Sequence, residues 1–125
     1  MSRTLSNTTA SRNGKAVEKS LLQYMGLSHE QSPVDSTLEG HPLEIKSCQM
    51  QIIDSHNSNH RRSGRIVFEP EQHRYLLEHG GIYAFVVHVN KVVHHTRMIR
   101  ADLVKLPDFS CNRSVPWPTA RGWLS

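Results

Sequence analysis

A chain of 125 residues has the length of one domain, enough to bury roughly two-thirds of the surface its unfolded form exposes. No apolar run approaches the ~18 residues of a membrane-spanning helix, and residues 1 to 13 lack the apolar centre of a signal peptide, so a soluble, cytoplasmic protein is expected. Fifteen Lys and Arg against eleven Asp and Glu give a net charge of +4, which favours an anionic partner, nucleic acid being the commonest.

Met1 to Arg12 is rich in Ser, Thr and Asn with almost nothing apolar to bury, which predicts a disordered N-terminal tail over residues 1–12. Asn13 is a helix-capping residue type, and Val17, Leu21 and Met25 recur on one stripe with Leu22 beside it, so a helix is expected from there to Met25 with Gly26 as its stop. Residues 33 to 48 read as a hairpin. Asp54 to Arg62 is polar throughout and reads as an exposed loop. Gly64 to Phe68 predicts a short strand, and Pro70 then stands where the start of a helix over Glu71 to His79 tolerates it, with Gly80-Gly81 ending that helix. Ile82 to Val89 is mostly apolar, with aromatic and β-branched residues, as in a central strand buried on both faces. Asn90-Lys91 turns into a partner strand over Val92 to Ile99, and Arg100 to Leu106 forms a last helical turn. Pro107 to Ser125 carries three prolines and both tryptophans, so residues 107–125 read as a C-terminal tail without regular structure through most of its length. A domain over 13–106 of α/β or α+β class with a mixed sheet follows.

The hairpin carries the chemistry. With Glu39-Gly40 as its two-residue turn, antiparallel pairing sets Leu38 opposite His41 and Asp35 opposite Glu44. Directly opposed Cβ atoms on one face lie roughly 4.5–5.5 Å apart, close enough for both carboxylates to hold one hard cation. Alternation along the strand places Lys46 on the face of Glu44, with Leu43 and Ile45 on the other. Two opposed carboxylates repel each other unless a cation such as Mg²⁺, with Mn²⁺ as a substitute, turns the repulsion into coordination. Hydrolysis of a phosphodiester asks for that set: a cation to offset charge on the phosphoryl oxygens and a lysine to orient the attacking water.

Other residues invite chemistry with less support. His60-Arg61-Arg62-Ser63-Gly64-Arg65 concentrates donors suited to phosphate, and Lys15 adds a cation on the first helix. Gln72 and His73 open the second helix and face either the site or solvent. Adjacent His94 and His95 point to opposite faces of a strand and do not join His88 in a zinc site. Cys48 and Cys111 fit neither a CxxC metal motif nor a disulfide framework, which implies reduced thiols. Trp117 and Trp123 suit core cover or a subunit contact better than base stacking.

Taken together, Gly14 and Glu18 in Gly14-Lys15-Ala16-Val17-Glu18, Pro33 and Asp35, and Glu44-Ile45-Lys46 followed by Ser47 resemble the PD-(D/E)xK nuclease superfamily. Within it the resemblance is to archaeal Holliday-junction resolvases and small restriction-like endonucleases, and it covers about residues 13 to 106. Here the aspartate follows Pro-Val instead of proline directly, and Asp35 and Glu44 are closer in sequence than in many resolvases. The resemblance implies a restriction-endonuclease-like mixed β-sheet flanked by helices. It also implies Glu18, Asp35 and Glu44 as metal ligands, with Asp35, Glu44 and Lys46 as the catalytic set. A Mg²⁺-dependent DNA endonuclease, most simply structure-selective, is the function implied, and a C₂ homodimer would supply the two sites that cutting both strands requires. Arg61, Arg62, Arg65 and Lys15 are the expected nucleic-acid contacts. The alternatives are a small restriction-type or nicking enzyme, a nuclease acting on RNA or mismatches, and a non-catalytic nucleic-acid-binding module whose acidic face is structural.

Overall fold

The computed structural model describes residues 5–28, 34–54 and 57–124, with the backbone alone for 5–13, 52–54 and 57–62. Its frame is a mixed four-stranded sheet in the order β1(Ser36–Leu38), β2(His41–Gln49), β6(Ile82–Val89), β7(Val92–Arg100). The β1–β2 and β6–β7 pairs are antiparallel and β2–β6 is parallel, a pairing that needs a long crossover. That crossover contains the ribbon β3(Gln51–Asp54) and β4(Asn57–Ser63), then β5(Arg65–Phe68), then α2(Pro70–Glu78).

Strand β7 is exposed along most of its length, whereas the central strands β2 and β6 are covered on both faces. Against one lies α1(Leu5–Met25), whose Val17 and Leu22 pack with Leu43, Ile45, Ala84 and Val86. Gly14 lets this helix come close: a Cβ there would stand 2.9 Å from Ser47 Oγ. Against the other face lies a layer built from α2, the antiparallel pair β5 with β8(Arg113–Pro116), and α3(Trp117–Gly122). Phe68, Leu76, Tyr83, Phe85, Val87, Val115 and Trp117 fill it, with Phe68 meeting Tyr83 and Phe85 edge-on at ring separations of 5.3 and 6.1 Å. Such geometry brings the positive edge of one ring to the negative face of the next. Among the described residues no helix is long and apolar enough to cross a membrane.

Most of the expected elements form where the sequence puts them. Glu39 and Gly40 both have positive φ, 50° and 84°, as a tight hairpin turn requires, and Leu38 pairs with His41 as expected. Strand β6 is buried from Tyr83 to His88, α2 starts at Pro70, and a 3₁₀ turn at Ala101–Leu103 follows β7.

Three expectations fail. The first helix begins at Leu5, not at Asn13, so residues 5–12 are helical and only 1–4 of the expected tail lie outside the described residues. Ser, Thr and Asn cost at most ~0.7 kcal/mol each in a helix, and once the packed turns have nucleated it, extension needs no burial. Of the expected loop from Asp54 to Arg62, residues 55–56 lie outside the described residues, and Asp54 and Asn57 to Arg62 belong to the β3–β4 ribbon, in which Ile53 pairs with Arg61 and Ile52 with Arg62. A ribbon is held by its backbone ladder, so its polar composition gives little strand signal. Nor are residues 107–125 without regular structure through most of their length: β8 and α3 span Arg113 to Gly122, β8 pairs with β5, the Trp117 N–H donates to the Gly64 carbonyl at 2.9 Å, and Ala120 is fully buried. Pro116 closes β8 and Pro118 falls in the first turn of α3, two places where proline loses no needed hydrogen bond.

Candidate active site

The hairpin β1–β2 places Asp35 immediately before β1 and Glu44 in mid-β2, on paired strands. Each carboxylate is tied to the other's strand. The Asp35 N–H donates to Glu44 Oε1 at 3.1 Å, and the Ile45 N–H donates to Asp35 Oδ2 at 2.8 Å. These bonds fix both groups without adding positive charge.

Lys46 stands two residues on, sharing the face of Glu44 as strand alternation requires, with its Nζ 3.3 Å from Glu44 Oε2. Both side chains are largely buried, at 11% and 8% exposure. On its other side Nζ lies 3.9 Å from Glu69 Oε2, the residue preceding α2. Glu69 went unnoticed in the sequence because only the packing of β5, which ends just before it, against β2 brings it near.

Burial pushes the Glu44 carboxyl up to about 8. Desolvation outweighs the attraction of Lys46, and the charge of Asp35 together with a side-chain hydrogen bond to it adds to the rise. Glu44 therefore keeps its proton up to about pH 8 unless a cation is bound beside it. Carboxylate oxygens are the donors that hard divalent cations take, and a cation between these two would replace that proton.

Glu18, on α1, approaches from the opposite face of the sheet. It accepts a hydrogen bond from Ser47 Oγ at 2.7 Å, and burial, reinforced by Asp35, raises its carboxyl above the ordinary range. The groove beside it, of about 540 Å³, is lined by Lys15, Glu18, Lys19 and Asp35 on its polar side. Glu18 and Asp35 thus share a groove, but among the described residues no three carboxylates, histidines or cysteines converge as a closed metal cage.

The remaining candidates divide. Lys15 lines the groove next to Glu18. Arg65 is bound instead to Ser114, donating from Nε to Oγ at 2.6 Å and from its terminal nitrogen to the carbonyl at 3.0 Å, so it staples β5 to β8. Arg61 and Arg62 lie on β4 with side chains outside the described residues, and Pro33 is also outside them. His73 faces inward, where its Nδ1 meets the Tyr83 hydroxyl at 2.8 Å. Tyr83 is the β6 partner of Glu44, and burial followed by the charges of Glu44 and Glu69 raises its hydroxyl pKa. Sequence reasoning missed Tyr83 because the parallel register of β2 and β6 is not written in either strand.

A family model described as a PD-(D/E)XK nuclease superfamily domain matches residues 4–115. The chain belongs to the PD-(D/E)XK nuclease superfamily. No curated protein and no solved structure gives a significant match. The sheet flanked by helices is the restriction-endonuclease-like arrangement of this superfamily, and nuclease activity, hence nucleic-acid binding, follows from membership. PD-(D/E)XK nucleases generally use divalent metals, and the pair Asp35 and Glu44 offers the oxygen donors for one.

Proposed function

We propose that this PD-(D/E)XK protein is a Mg²⁺-dependent DNA endonuclease, with Mn²⁺ as a substitute, selective for branched DNA in the manner of a junction resolvase. The observation that carries the reading is the mutual anchoring of Asp35 and Glu44 through each other's strands, with Lys46 Nζ 3.3 Å from Glu44. Asp35 and Glu44 are the residues to hold the cation, with Glu18 contributing from the α1 side of the groove. When bound, the cation supplies positive charge to offset that developing on the phosphoryl oxygens and lowers the pKa of water.

The protein's own groups account for the rest. Lys46 is held between Glu44 and Glu69, so its ammonium has a fixed direction from which to orient the attacking water and stabilise charge on the phosphate. The Ser47 hydroxyl fixes the Glu18 carboxylate. Lys15, on the same groove, offers a contact to the scissile strand, and Arg61 and Arg62 on the ribbon offer contacts farther along. Cutting two strands calls for two such centres, which a C₂ dimer supplies; sedimentation equilibrium measures whether the mass is that of two chains.

One feature favours a second reading, site-specific cutting of duplex DNA. A two-stranded ribbon such as β3–β4 fits the major groove, where bases are distinguished.

The test is cleavage of a labelled four-way junction, the matching linear duplex and a flapped duplex, with Mg²⁺ or EDTA, by the wild-type protein, Asp35→Ala and Lys46→Ala. Junction cutting that needs Mg²⁺ and falls at least ~10²-fold in both variants is the expected result. Cutting of the duplex at one sequence moves the assignment to the site-specific enzyme. Binding without cutting of any substrate sinks both and leaves a binding module.

A further inference from the structure

A second groove, of about 500 Å³, opens at the β7 edge of the sheet, away from the carboxylates, where β7 meets α3 and the residues after it. Its walls are His95, Arg97, Met98, Trp117, Arg121 and Leu124, with no acidic side chain among them. Arg97 and Arg121 are exposed and have no ion-pair partner among the described residues. Arg100, by contrast, lies three positions after Arg97, on the other face of β7, and is paired with Asp102 at 2.8 Å. Both guanidiniums of the groove thus lack a carboxylate partner among the described residues, and the buried indole of Trp117, 5% exposed, lies beside them.

We infer that this groove binds a phosphate of the polynucleotide backbone, as a second anchor apart from the catalytic carboxylates. The inference rests on the nuclease reading for its choice of polyanion, and on the groove itself for its chemistry. Guanidinium forks match phosphate oxygens two bonds at a time, and unpaired cations on an open groove gain most from a partner that arrives with its own charge. Position supports the same ligand. Lys46, Phe85 and Arg97 occupy one register line across β2, β6 and β7, so Arg97 stands two strand spacings, roughly 10 Å, from Lys46. The aromatic layer of Phe68, Phe85 and Trp117 separates the two, so a bound strand contacts the groove and the carboxylates from different sides of it.

The experiment is binding of a fluorescein-labelled duplex, read by anisotropy in EDTA so that nothing is cut, from about 50 to 200 mM salt. It compares the wild-type protein, an R97A/R121A double variant, and an R74A/R113A double variant that removes two exposed arginines elsewhere. The expected result is a loss of about tenfold or more for R97A/R121A, with the slope of log affinity against log salt reduced by about one, as for one lost phosphate contact, and a change within about twofold for R74A/R113A. Equal losses in both double variants, or no loss in R97A/R121A, overturn the anchor. Metal-dependent cutting by the wild-type protein is measured separately. If it is absent while R97A/R121A alone weakens binding, the nuclease reading fails and the anchor stands; if it is present while R97A/R121A binds like wild type, the reverse holds.

Discussion

The two faces of the central sheet are built differently. Towards α1 the contacts are aliphatic: Val17, Leu22, Leu43, Ile45, Ala84 and Val86. Towards β5, α2 and α3 they are aromatic, and this is the face on which Glu44 and Lys46 lie, beside their β6 partners Tyr83 and Phe85. Aliphatic packing needs only volume and shape, whereas rings fix one another's orientation. The lesson is that charged groups are held largely buried where the surrounding side chains have the fewest ways to move.

The largest effect expected from this contrast is on stability. Phe85→Ala should cost about 3–5 kcal/mol and Val86→Ala, on the α1 side and away from the Glu18 groove, about 2 kcal/mol. The two separate in activity: at a temperature where both are folded, Phe85→Ala should lower the cleavage rate, because the ring lies next to Lys46, while Val86→Ala should leave it near wild type. Chemical denaturation and single-turnover cleavage measure the pair, and an equal fall in rate for Val86→Ala would break the comparison.

Next comes the ionisation of Glu44, which faces Asp35 and Lys46 on the hairpin and Tyr83 on β6. Its folded pKa, about 8, is above the unfolded value of 4.5, so the folded state holds the extra proton between those limits. Stability of the metal-free protein should therefore fall as pH rises from about 4.5 to about 8, by an amount of order a few kcal/mol. Glu44→Gln should remove most of that fall, and Mg²⁺ should raise the melting temperature of the wild type more at about pH 8 than at about pH 5. A wild-type stability that is flat over this window would show that burial does not dominate at Glu44.

The smallest effect is at the layer's polar margin. Tyr83→Phe removes the hydroxyl that meets His73 Nδ1 and leaves a buried ring nitrogen without it, at a cost of about 1–3 kcal/mol. Urea denaturation measures it, and a neutral result would mean that His73 finds another partner.

How much of this was legible in the chain depends on how local the deciding interaction is. Glu39-Gly40 fixes the turn through its own φ angles, and a tight turn with a period of two then sets the register of β1 on β2 and the shared face of Glu44 and Lys46. Asp35, Glu44 and Lys46 were readable for that reason. The β3–β4 ribbon was not, because its polar side chains carry no apolar alternation, and neither was the helical stretch from Leu5, which continues a helix stabilised by packing elsewhere.

By itself, then, the sequence determined the hairpin, the buried strand β6, the helix α2 and the carboxylate pair with its lysine, since each rests on neighbours a few residues apart. Only the tertiary structure decided what meets them. The parallel register of β2 on β6 brings Tyr83 beside Glu44, the packing of β5 against β2 brings Glu69 to Lys46, and the pairing of β8 with β5 carries Trp117 and Arg121 to the β7 edge. Those contacts join residues tens of positions apart, where the burial of whole faces, and no local preference, selects the partner.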